Sequence, residues 1–121
     1  MTKINLIRLN IFFLLISLIL SIYLLGFKYF NPTNTSWLFW GDLPTLQTGW
    51  NYFRIDDWRF PILSNPNYGI YLDNNIIYTD SIPLFALFFK IFNFILPNNF
   101  QYFSIWFLFS LYLQGLISYL I

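Results

Sequence analysis

Two stretches of about twenty residues carry no charged side chain, and they constrain this chain more than anything else in it. The first covers residues 9–27 (LNIFFLLISLILSIYLLGF) and the second residues 101–121 (QYFSIWFLFSLYLQGLISYLI). A bilayer core of about 30 Å needs about 20 apolar residues in a helix, and each stretch is that long. The pattern predicts an all-α membrane protein: two transmembrane helices, at 9–29 and 100–121, flanking a loop at 30–99 that holds short interfacial helices. Composition agrees, because only 9% of the 121 residues are charged and 58% are hydrophobic. Soluble chains carry about 25% charged residues, so a water-soluble globule with this composition could not cover its surface. Lipid is the expected partner.

The same inventory excludes several function classes. The chain has no Cys and no His, which removes disulfides, thiolate nucleophiles, the usual zinc sites and a histidine base. No metal or cofactor is expected. A net charge of +1 does not suit a nucleic-acid surface, which needs many phosphate-neutralising cations. Acid–base chemistry would fall to five aspartates, since the chain has no glutamate.

Orientation follows from the basic residues. Lys3 and Arg8 precede the first span, which predicts a cytoplasmic N-terminus at 1–8 and an extracytoplasmic loop. The first span is longer than the apolar core of a secretory signal, and no small-x-small site follows it at Leu24-Leu25-Gly26-Phe27-Lys28, so it reads as uncleaved. The expected location is a cell membrane, crossed more than once.

Within the loop, Asp42 stands before Leu43-Pro44, the pattern of a helix N-cap with proline in the first turn. Leu43, Leu46, Trp50 and Phe53 then recur at helical spacing, predicting an amphipathic helix near 42–54 that lies on the bilayer surface. Asp56 and Asp57 sit between Arg54 and Arg59. Adjacent acids can share a metal or a proton, but with two cations alongside, a solvated ion-paired surface is the simpler reading. Residues 70–79 suit either a short hairpin or irregular chain. Asp80-Ser81-Ile82-Pro83 looks like another capped helix start, opening a helix near 82–96. Lys90 and Asn93 interrupt that apolar run, and a central lysine costs about 2.5–3.5 kcal/mol in a span. An interfacial or re-entrant helix is expected, with Lys90 reaching for phosphate headgroups; a full span is the alternative, and it would reverse the C-terminus. In the second span Gln114-Gly115 marks a spot where another helix could pack closely. The last residues are still apolar, which reads as the N-terminal piece of a larger polytopic protein or a truncated reading frame.

Four pieces in order, WGDLPTLQTGWNYFR, DDWRFPILSNPNYG, DSIPLFALFFKIF and LPNNFQYFSIWFLFSLYLQG, resemble a bacterial polytopic membrane protein family of unknown function (DUF6311-like), whose layout is similar to that of GT-C glycosyltransferases. The resemblance implies the N-terminal segment of a glycosyltransferase-type protein of the bacterial inner membrane, using a lipid-linked sugar donor. It implies Asp42 as the base that deprotonates the acceptor hydroxyl, and Arg54, Asp56, Asp57, Arg59, Asp80 and Lys90 as substrate-binding candidates, the cations stabilising a departing phosphate. The further helices and later loops of such enzymes lie outside these residues, so the stretch alone is expected to be inactive. The alternative is a non-catalytic membrane subunit, or truncated gene product, with an aromatic loop that binds lipid or a partner.

Overall fold

The structure, a computed structural model, describes residues 3–69 and 74–121. These residues form four α-helices and no strand: α1 (Lys3–Leu25), α2 (Leu43–Ile55), α3 (Pro83–Ile91) and α4 (Phe103–Leu120), with short 3₁₀ turns between them. The chain divides into two compact units, one made of residues 1–34 and 102–121, the other of residues 35–101.

The first unit is the pair α1 and α4, the two helices long and apolar enough to cross a membrane. A helix that is apolar on every side is either buried in a large core or set in lipid. Here only 11% of the apolar window of α1 is buried. α1 stops at Leu25 rather than near residue 29, because Gly26 takes φ +84°, a left-handed conformation that breaks a helix and favours glycine; a 3₁₀ turn at Phe27–Phe30 follows. Where α1 meets α4, the Tyr112 hydroxyl donates to Asn10 Oδ1 and the Phe13 and Tyr119 rings lie 5.7 Å apart.

The second unit is built around α2. Trp50 and Phe53 are fully buried, as the helical stripe predicts, and Gln47, Gly49 and Arg54, which flank the stripe, are buried too. α2 therefore packs a wide face into its own unit, while Asn51, Tyr52 and Ile55 on its other side stay exposed. Leu38, Ile76, Ala86 and Phe100 complete the core, and the Trp50 indole donates to Phe100 O at 3.0 Å, satisfying the one polar atom of a buried ring.

Of the two expected caps, one holds in position only and the other is corrected. Asp42 occupies the N-cap position of α2, yet its side chain makes no capping bond; instead its backbone oxygen accepts from Thr45 N at 3.3 Å and Thr45 Oγ1 at 2.6 Å. α3 is preceded by Ile82 at φ +50°, not by Asp80 or Ser81 as a cap. Asp80 ends the 3₁₀ turn at Ile76–Thr79, and Ser81 is buried, donating to Leu46 O at 2.7 Å. The helix expected over 82–96 is α3 followed by a separate 3₁₀ turn at Asn93–Ile95. Of the stretch suited to a hairpin or irregular chain, 70–73 lie outside the described residues; beyond them an isolated antiparallel bridge joins Ser64 and Asn75.

Gly49 locks α2 to the Ile76–Thr79 turn. A Cβ at this position would fall 2.7 Å from Ser81 Oγ and closer still to Thr79. The missing side chain lets the Thr79 and Ser81 hydroxyls, 2.7 Å apart, sit against the helix.

Candidate functional site

The described charged residues of the second unit fall into four settings. Arg54 is 6% exposed and pairs with no carboxylate among the described residues. Its Nε donates to Asn93 Oδ1 at 2.7 Å, and Nη1 donates to Pro97 O at 3.0 Å and Asn98 O at 3.1 Å. Asn93 Nδ2 returns a bond to Arg54 O at 2.9 Å. The guanidinium lies 5.4 Å from the Trp50 ring centroid, and burial lowers its pKa from the ordinary value. A fork of five donors suits a ring of carbonyls, so Arg54 ties the end of α2 to the turn that follows α3. A cleft of about 300 Å³ runs beside it, lined by Asn51, Asn93 and Asn98 among others.

Asp56 is the hub of the second setting. Its Oδ1 accepts from Asp57 N at 3.0 Å, Asn67 Nδ2 at 3.1 Å and Arg59 Nη2 at 2.6 Å. The Asp56 side chain is 3% exposed, while that of Arg59 is 43% exposed. The expected solvated surface pair is thus corrected: the acid is buried, it pairs with Arg59 and not Arg54, and Asp57 alone of the two acids faces solvent. Asp56 Oδ2 is buried and makes no hydrogen bond among the described residues.

Lys90 faces inward rather than towards headgroups. It is 5% exposed, with Nζ 4.1 Å from the Phe53 ring centroid and 4.8 Å from that of Trp58. Ring faces carry partial negative charge and hold a desolvated ammonium. Burial lowers the lysine pKa, and the neighbouring Asp56 charge opposes that shift in part.

Asp42, Asp57 and Asp80 are all exposed. None of them lines the cleft beside Arg54 or a second cleft of about 380 Å³ beside Arg59, Phe60 and Ser64. The structure thus brings Asp56, Arg59 and Lys90 into one neighbourhood and leaves Asp42 and Asp80 outside it. Among the described residues no three acids, histidines or cysteines are placed to hold a metal ion.

Sequence reasoning assigns no site role to Asn93, Asn65 or Trp58. Asn65 is fully buried and donates to Gly49 O at 3.0 Å. For Asn93 a signal existed: a lone carboxamide in an apolar run needs a partner if buried. That partner could not be named, because it lies 39 positions away.

A family profile described as a domain of unknown function, DUF6311, matches residues 14–121. The chain belongs to the DUF6311 family. The match takes in the whole second unit, all of α4 and the second half of α1. No curated protein and no solved structure matches the chain.

Proposed function

We propose that this DUF6311 chain is an integral membrane protein whose α1 and α4 cross a bacterial inner membrane, with the N-terminus cytoplasmic and the second unit extracytoplasmic, and that this unit is a non-catalytic module binding lipid or a protein partner. On this reading the loop at 30–99 is the external part, between spans that α1 and α4 supply. One observation carries the choice of a binding module: the cations that a departing phosphate would need are engaged inside the fold. Arg54 is held by carbonyls, Lys90 by two rings, and Arg59 in part by Asp56. Supporting the membrane reading, Leu84, Phe88 and Ile91 are exposed at spacings of four and three along α3, and Ile95 is exposed in the turn that follows, an apolar surface of the kind that settles in a bilayer interface.

Glycosyl transfer from a lipid-linked sugar is the second reading. The exposed carboxylate of Asp42 favours it, since a base must be reachable by the acceptor.

Two measurements test these readings. The chain lacks cysteine, so Asp42→Cys introduces a single thiol; an impermeant thiol reagent should label it in intact cells. Protection until lysis overturns the topology. Asp42→Asn in the native gene should leave cell-surface glycan unchanged; its loss would establish the second reading in place of the first.

A further inference from the structure

The cleft of about 380 Å³ beside Arg59 gathers hydrogen-bond donors that the fold leaves unused. Arg59 Nη2 donates to Asp56 Oδ1 at 2.6 Å, and Asp56 is itself held by Asp57 N and Asn67 Nδ2, so a buried acid fixes the guanidinium in place. A guanidinium carries five N–H donors; among the described residues Asp56 is the only acceptor that Arg59 meets. Ser64 and Asn75 face each other across the isolated antiparallel bridge and both line the cleft. The bonds that flank this pair run from Asn65 N to Asn74 O at 2.7 Å and from Ile76 N to Leu63 O at 3.0 Å. The pair exchanges no backbone bond itself, the register in which opposed side chains come closest. Asn75 Oδ1 accepts from Ile77 N at 3.1 Å, which leaves Asn75 Nδ2 and the Ser64 hydroxyl with no protein acceptor among the described residues. No acid lines the cleft.

We infer that this cleft is an oxyanion site that takes a phosphate group, with Arg59 as its cation and Ser64 and Asn75 as neutral donors. The inference deepens the reading of the second unit as a lipid-binding module, and rests on it for the source of the phosphate. A guanidinium edge matches two phosphate oxygens at once. Asp56 does not cancel Arg59, because Lys90 is a second cation within its reach: the Asp56 charge raises the lysine pKa against the effect of burial. Asp57 faces solvent, where salt screens it. The lip of the cleft points to the source. Phe60 lines the cleft yet is 95% exposed, and Ile62 is exposed two residues on. Free phosphate has nothing to offer these side chains, whereas the headgroup of an anionic phospholipid arrives with acyl chains that cover them.

The experiment uses the full chain in maltoside detergent, with bound lipid read by native mass spectrometry. Phosphatidylglycerol should be retained, and a diacylglycerol with the same acyl chains should not. Arg59→Gln should weaken phosphatidylglycerol binding about 10- to 100-fold. Because that change also leaves buried Asp56 without its bonded cation, Asn75→Asp gives a second readout. It keeps the acceptor for Ile77 N, removes an N–H donor and sets a negative charge in the cleft, and should weaken binding about 10-fold or more. Phe60→Ala should weaken the lipid and leave the affinity for inorganic phosphate, measured by calorimetry, unchanged. Equal retention of the diacylglycerol, or a lipid affinity unchanged in both Arg59→Gln and Asn75→Asp, overturns the inference. Inorganic phosphate held as tightly as the lipid, with Phe60→Ala silent, would keep the oxyanion site and overturn the lipid as its source. Protection of Asp42→Cys in intact cells bears on the proposed topology alone, so the two failures are told apart.

Discussion

Arg54 and Asn93 bind each other twice, through Arg54 Nε to Asn93 Oδ1 at 2.7 Å and Asn93 Nδ2 to Arg54 O at 2.9 Å. The pair joins the last turn of α2 to the turn after α3, and it helps to hold a buried cation that pairs with no carboxylate among the described residues. Removing Asn93 leaves a buried guanidinium N–H and a helix-end carbonyl unsatisfied together. Asn93→Ala should cost about 2–3 kcal/mol, read as a lowered unfolding midpoint in nanodiscs by intrinsic tryptophan fluorescence. Arg54→Lys should fare no better, since a single ammonium cannot span the positions the fork reaches.

Gly49 makes a steric prediction. A methyl group there meets Thr79 and Ser81, both buried and bonded to backbone, so neither can swing aside without losing a partner. Gly49→Ala should destabilise the second unit by about 1–3 kcal/mol, despite the better helix propensity of alanine. The check is protease sensitivity of the unit, with α1 and α4 left intact. An unchanged digestion pattern would show that the turn at Ile76–Thr79 yields freely.

Lys90 sets a pH dependence. Burial lowers its pKa in the folded chain, so between that lowered value and the ordinary lysine range the unfolded chain holds a proton that the folded chain has released. Stability then rises as pH increases through that window, because the unfolded state binds more protons there. The unfolding midpoint should climb on going from neutral to alkaline buffer, and Lys90→Met should remove that part of the climb. A Lys90→Met curve parallel to wild type would mean that Lys90 carries no such linkage.

The exposed stripe on α3 and its following turn predicts depth. A bimane attached at Ile95→Cys should be quenched strongly by brominated acyl chains and little by aqueous iodide, as expected for a side chain seated at the acyl boundary. The reverse order would remove lipid as the partner of this face. Because Ile95 is 67% exposed, the label itself displaces no core packing.

What could be read before the structure was local. Helical stripes placed α2 within a residue of its ends, and Trp50 and Phe53 pointed inward as their spacing requires. The start of α3 falls within a residue of its expected place, but its cap does not: Asp80-Ser81 carries the chemistry of a cap, while Ser81 is drawn instead to Leu46 O. Of the candidate residues, Asp42 lies exposed as a reachable acid would, but the directions of Arg54, Asp56 and Lys90 could not be read. Each is set by a partner or neighbour whose position along the chain carries no periodic signal.

Sequence alone determined that the chain is helical, that two of its helices have the length and apolarity of membrane spans, and which family it belongs to. Those properties are summed over consecutive residues, and neither periodicity nor hydropathy needs any distant contact. Only the tertiary structure decided which charges are spent inside the fold, and which of the neighbours Gln114 and Gly115 faces α1. A buried polar group must be satisfied by whatever the fold brings near it, and for Trp50 that is a carbonyl 50 residues away.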